Sequence, residues 1–418
     1  MNKIILSGIT ASLLAGTASV AYAQALTIES WRNDDLTIWQ EQIIPAFEAA
    51  NPGITVTFAP TAPTQYDAAL NAKLEGGTAG DLITCRPFDR ALTLYNQGHL
   101  ADLKGFSALD SFSDVAKSAW TTDDGSATFC VPIAAVIHGF IYNKDAFAEV
   151  GVEVPTTQAE FMSVLEAIKA DGNYVPLAMG TQDQWESAAM GLQNIGPMYW
   201  KGEEGRHAII DGSGKLTDEG WVEPLRVLAS WAPFMGDGFS AQSYPDSQTL
   251  FTLGRAAIYP AGSWEIAGFN NDAEFELGVF KPPLPAAGAD CYISDHTDIA
   301  LGLNPNSPNA DAAKVFLDWM GTAEFATLYS NAVPGFFSLS NHAITLDDPI
   351  ANEFISWRGE CNSTIRSAAQ ILARGTPNLW SEMWVVSANV INGTTTPEDA
   401  AAQLQAGLEA WYAPQQGN

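Results

Sequence analysis

Val131-Pro132-Ile133-Ala134-Ala135-Val136-Ile137-His138-Gly139-Phe140-Ile141-Tyr142-Asn143-Lys144-Asp145 is the stretch whose reading decides the fold. An apolar run carrying one histidine stops at Tyr-Asn-Lys-Asp, and Ala146 to Gly151 follow. Ile, Val, Phe and Tyr backed by turn formers read as a buried strand leaving a core. Asp145 is placed to cap the short helix that Gly151 and Pro155 close. The run reads as a hinge strand between two lobes that close around a common cleft.

Upstream of it the order is β-α-β-α-β. Residues 26–31 form a first strand, with the polar turn Arg32-Asn33-Asp34-Asp35 behind it. A helix carrying Ile38, Ile43, Ile44 and Phe47 ends at Asn51-Pro52-Gly53. Residues 54–58 alternate as strand two, 66–74 form a second amphipathic helix, and 81–85 a third strand. Such an order implies a mostly parallel sheet covered by helices on both faces. Ligands of these sheets sit beyond the carboxyl ends of the strands, which puts 31–34 and 86–90 at one rim.

Downstream, helices are expected at 158–169, 219–231 (with Pro224 in its first turn) and 310–320, where Val315, Phe316 and Trp319 face a core. Residues 203–217 read as a glycine-rich surface loop. Residues 298–303 are apolar and strand-like, a second crossing; Pro334-Gly335 and residues 338–342 offer a third. Closing helices are expected within 370–412.

Residues 1–23 read as an export signal. Lys3 opens it, residues 4–20 are apolar and small, and Ala21-Tyr22-Ala23 fits the cleavage site. The rest, too long for one ordinary core, points to two domains. Net charge is −29, and −30 once Lys3 is removed. So acidic a surface argues against nucleic acid and anionic membrane as partners, and mildly against a strongly anionic ligand unless a local pocket overrides the global field. Cys85, Cys130, Cys291 and Cys361 are spaced wrongly for zinc. In an exported chain they favour up to two disulfides, with three pairings open and free buried thiols the alternative.

Four patterns occur in a telling order: Phe47-Glu48 with Asn51-Pro52-Gly53-Ile54; Gly80-Asp81-Leu82-Ile83; Pro132-Ile133-Ala134 to Tyr142-Asn143-Lys144-Asp145; and Gly254-Arg255-Ala256-Ala257 to Gly262-Ser263-Trp264. With them the chain resembles the extracellular sugar-binding proteins of ABC importers, the maltose-binding type, from about Leu26 to Tyr412. The resemblance implies an α/β fold of two lobes, each a mostly parallel sheet flanked by helices, joined by hinge crossings. On it, lobe I takes residues 24–135 and 300–338, and lobe II residues 136–299 and 339–418. It also implies a periplasmic monomer that captures a sugar by lobe closure and hands it to membrane permease subunits, with no cofactor, metal or catalysis.

A sugar needs aromatic platforms for its ring faces and fixed polar groups for its hydroxyls. By position, the resemblance offers Arg32 and Asp34 after strand one, and Asp89-Arg90 with Arg86 competing. It also offers Trp264 in an exposed-looking turn, Trp185 in the second lobe, and Trp384 with Trp380 one helical turn earlier. Val136 stands where a maltose-type hinge carries an acid, which directs attention to His138 and to His296 and Asp298 beside the second crossing. Each has a plainer reading. Trp31, in the strand itself, fits core; Asp89 fits a helix cap; His138 fits a satisfied core histidine; Trp380 and Trp384 fit packing. A secreted glycoside hydrolase or a binder of another solute is the alternative. No H-E-x-x-H, G-x-S-x-G, Walker A or G-x-G-x-x-G occurs to favour the enzyme.

Overall fold

The computed structural model describes residues 24–417, and the expected export signal at 1–23 lies outside them. Strands β1 (Gln24–Ser30) and β2 (Ile54–Pro60) run parallel, and β3 (Leu82–Cys85) joins the other edge of β1 in the same direction. The helical stretch between β1 and β2 contains a π-helical turn, Trp39–Ile43. That wider turn lets Trp39, Ile43, Ile44 and Phe47 all reach the core.

The opening stretch is β4 (Val131–Asn143), buried along almost its whole length. Beyond it lie β5 (Val175–Leu177), β6 (Ala256–Gly262), β7 (Leu277–Phe280), β8 (Tyr292–Leu303), β9 (Phe337–Ser338) and β10 (Asn362–Thr364). β4 pairs with β8 from Val131 to Ile137 and with β6 from His138 to Tyr142, so its neighbour changes between Ile137 and His138. Register irregularities fall between Pro132 and Ala135, where β9 docks on Ala134 and Ala135. Bulges kink a strand and raise its twist, which suits a crossing. The three expected crossings therefore meet in one place. Ser263, just after β6, ties two of them: its hydroxyl accepts from Ile137 N–H (3.0 Å) and donates to the Gly335 carbonyl (2.5 Å).

The first lobe keeps its parallel β1, β2 and β3, and the second keeps a parallel pair, β5 with β6. Antiparallel pairing enters through β4, β8 and β7. Two disulfides settle the cysteine pairing as Cys85–Cys130 and Cys291–Cys361.

Several local expectations need correction. The helix Lys144–Val150 is capped by Asn143, whose side chain accepts from Ala146 N–H, and not by Asp145; Gly151 ends it with φ +76° as expected. Residues 203–211 form a helix, Glu203–Asp211, where a loop was expected. Its glycines mislead: Gly205 packs directly on the Trp200 backbone, and buried Arg206 and Ile209 hold the turn in place. Pro224 lies inside the helix Glu219–Ala229 beyond its first turn. Burial of Trp221, Val222, Leu225 and Leu228 offsets the roughly 3 kcal/mol such a proline costs. Val315 is exposed, while Phe316 and Trp319 reach the core.

Candidate functional site

A cleft lined from both lobes encloses about 1130 Å³ of empty space, its solvent-open mouth included. The ends of the parallel strands build one wall as expected: Trp31 and Arg32 follow β1, Pro63 and Thr64 follow β2, and Arg86 to Arg90 follow β3. Phe88 has φ +58° and turns the chain so that Asp89 and Arg90 open the helix Asp89–Asn96 at the cleft. Opposite stand Trp185, Tyr244, Trp264, Arg366, Trp380 and Trp384.

Nine of the twelve expected residues line this cavity: Arg32, Arg86, Asp89, Arg90, Trp185, Trp264, Asp298, Trp380 and Trp384. Asp34 is exposed and outside the lining, and His138 and His296 lie buried behind it. Trp264 is 8 % exposed, so the exposed-looking turn is in fact closed over. Trp31 joins the lining as well as the core.

Five tryptophans face the cavity at varied angles. Trp380 and Trp384 meet edge to face with centroids 6.3 Å apart, and Trp185 stands edge-on to Tyr244 at 4.8 Å. The buried indole N–H groups of Trp185 and Trp384, and Oδ2 of Asp89, have no hydrogen-bond partner among the described residues. Buried polar groups of this kind are costly unless satisfied, and here they line a cleft.

The guanidinium groups are held in defined poses. Arg32 gives Nε and Nη2 to Asp35, both at 2.7 Å. Arg86 lies 4.5 Å over the Trp31 ring and donates to Asp67 and to the Pro63 carbonyl, each at 3.0 Å. Arg90 shares Asp67 and sits 5.9 Å from the Trp384 ring. Arg366 lies 5.4 Å over Trp380 and donates Nη2 to Asp298 at 3.2 Å.

The two histidines explain the pose of Arg366. His296 Nδ1 lies 3.0 Å from the Thr297 carbonyl, which places its proton there and leaves Nε2 as an acceptor. Arg366 Nε donates to that Nε2 at 3.2 Å, and His138 Nε2 lies 3.1 Å from it. Burial, then the positive charge of Arg366, pushes His138 down to about 3 and His296 well below its ordinary value. Both are neutral imidazoles that position Arg366. His138 also buttresses Trp264, ring edge to face at 5.1 Å.

Arg366 and Tyr244 carried no signal in the sequence. The Arg366 segment is pinned by the helix misread as a loop. Glu203 accepts from Thr364 Oγ1 (2.6 Å) and Ile365 N–H (3.0 Å), and Arg206 donates to the Ala369 carbonyl. Gln193 accepts from Ser367 N–H at 2.9 Å.

Glu265 braces the opposite wall. It accepts from Tyr244 Oη (2.6 Å), Gln248 Nε2 (2.9 Å) and Trp264 Nε1 (3.1 Å). Burial pushes its carboxyl up to about 7, despite those donors. A carboxyl raised on folding contributes stability that is fully present below its unfolded value and is lost as pH rises through the folded one. Glu265→Gln stays neutral throughout. Its stability relative to wild type is therefore expected to improve by roughly 3 kcal/mol between about pH 5 and pH 8. Urea melts of both proteins across that range check this, and a constant gap would contradict it.

The model of the bacterial extracellular solute-binding protein family matches residues 31–327. The multiple sugar-binding protein of Streptococcus mutans is 26% identical over 345 residues, 77% of this chain and 78% of that one. The galactooligosaccharide-binding protein of Bacillus subtilis is 23% identical over 330 residues, 75% of each. Among solved structures, a chitin oligosaccharide binding protein superposes with TM-score 0.78 at 20% identity, covering 94% of this chain and 99% of that one. RafE in complex with raffinose gives 0.76 at 18%, covering 94% and 100%. Two lobes around an aromatic cleft, and a family match across most of the chain, place this protein in the bacterial extracellular solute-binding protein family.

Proposed function

We propose that this chain is the periplasmic capture subunit of an ABC-type sugar importer. It binds a mono- or oligosaccharide between its lobes, closes, and presents the closed form to membrane permease subunits, acting as a monomer and without chemistry of its own. One observation carries the reading: five tryptophans and a set of fixed polar groups converge on one cleft from both lobes. Aromatic faces suit sugar rings, and ionised or unpaired polar groups suit hydroxyls. On this reading the lobes divide at 24–135 with 300–338, and 136–299 with 339–418. Of the expected residues, Arg86, Asp89, Arg90, Trp185, Trp264, Trp380 and Trp384 contact the sugar. Arg32, tied to Asp35, and Asp34 shape the rim, and His138 and His296 act through Arg366.

Closure is a population shift, so a ligand must favour the closed state through contacts on both lobes. A thermal-shift panel of sugars, polyols and sugar acids tests it. A true ligand at a thousand times its Kd stabilises the protein by about 4 kcal/mol. If no carbohydrate raises the melting temperature while an amino acid or peptide does, the reading falls.

A further inference from the structure

The charges lining the cleft oppose those of the whole molecule. The protein has a net charge of −29, yet four of its nine arginines line the cavity against two aspartates, and no lysine does. Arg86, Arg90 and Arg366 form one group. Asp67 serves both Arg86 and Arg90, and Asp298 serves Arg366. Within this group three cations meet two anions. Elsewhere the balance is reversed: Asp35 takes Arg32, and Asp89 and the exposed Asp123 share the single Arg374, so the positive excess is local to Arg86, Arg90 and Arg366.

The three guanidinium groups also crowd one another. Burial, with Arg86 and Arg90 as positive neighbours, holds Arg366 down to about 10. Like charges gathered in a partly buried site are unfavourable unless an anion completes it. Nη1 of Arg86 and Nη1 of Arg366 have no acceptor among the described residues, and the free indole N–H of Trp384 lines the same cavity. Arginine without lysine is the composition suited to a planar, two-oxygen anion, because its fork matches a carboxylate in two parallel bonds.

We propose that the sugar carries a carboxylate, as a hexuronic acid or a short oligosaccharide containing one, and that Arg366 with Arg86 and Arg90 selects it. The excess of one charge local to these three arginines, with the free Nη1 groups of Arg86 and Arg366, fits a planar monoanion. The inference rests on the carbohydrate reading above and narrows it to sugar acids.

Calorimetric titration of the mature protein with D-galacturonate and digalacturonate, beside D-galactose and a neutral galactose disaccharide, tests it. The acidic probes are expected to bind at least about 100-fold tighter than their neutral partners, with affinity falling as salt is raised. Arg366→Met is expected to reduce that preference about 100-fold, and Arg366→Lys to restore only part of it, since charge returns without the fork. Arg90 is more exposed and less tied into the structure, so Arg90→Met gives a second reading that folding cannot obscure, with about a tenfold smaller preference. Equal or tighter binding of the neutral sugars would overturn the inference and leave the carbohydrate reading intact. Binding of neither set, with a non-sugar solute bound instead, would overturn both.

Discussion

Gly335→Ala is expected to destabilise the protein by about 5 kcal/mol, the sum of a strained backbone and a clash that cannot relax. Gly335 has φ +97°, where a side chain is already unfavourable, and a Cβ there would sit 1.8 Å from the Ser263 carbonyl oxygen and 2.7 Å from its carbon. Both atoms are backbone, so no rotamer change clears them. Ser263 moreover holds Ile137 of the first crossing and Gly335 of the third through one hydroxyl. Pushing it aside disturbs both. Gly393→Ala is the fitting control: φ is +68° but nothing lies within 4 Å of the added carbon, so only the backbone term of about 1 kcal/mol is expected. Urea unfolding of the two variants compares them directly. Similar midpoints would mean the hinge is softer than its packing implies.

Removing the Cys291–Cys361 disulfide with a double alanine variant is expected to cost about 4 kcal/mol, as befits a closed loop of 70 residues. The Cys85–Cys130 bridge closes a loop of 45 residues and has nearly the same entropic weight. Their functional consequences differ. β10 begins directly after Cys361, pairs with the start of β8, and runs on into Ile365 and Arg366. Loss of this bridge therefore loosens the arm that carries Arg366, and ligand affinity should fall along with stability. Loss of Cys85–Cys130 should lower stability with a smaller change in affinity. Paired melting and titration of the two variants separate these outcomes.

The sequence revealed the parts of the fold whose local pattern is strong. β4 was legible because thirteen residues, all but Tyr142 buried, end in a capped turn, and the cleft-facing ends of β1 and β3 followed from the order of strands and helices. What stayed hidden was set by distant contacts. The helix Glu203–Asp211 looks like a loop until Arg206 is seen reaching the Ala369 carbonyl. Trp264 sits in a glycine turn that looks exposed, yet Glu265 and His138 enclose it. Arg366 lies between a short strand and a 3-10 turn with no periodic signal, and only the fold brings it to the cleft. His138 drew attention for being polar in an apolar strand, and its place is one layer behind the wall.

Arg374 is bound on one side to Asp89 and on the other to Asp123, at 2.6 and 2.9 Å. With the lobe limits proposed above, this joins the C-terminal half to the rim of the first lobe. A partly exposed clasp of this kind is worth up to about 1 kcal/mol, which shifts the balance toward the shut form by a factor of up to about five. On the proposed function, any empty molecule the clasp held shut would compete with a loaded one for the importer, so the clasp would set how much idle traffic the importer must tolerate. Brine, by screening Asp123, would thin that traffic.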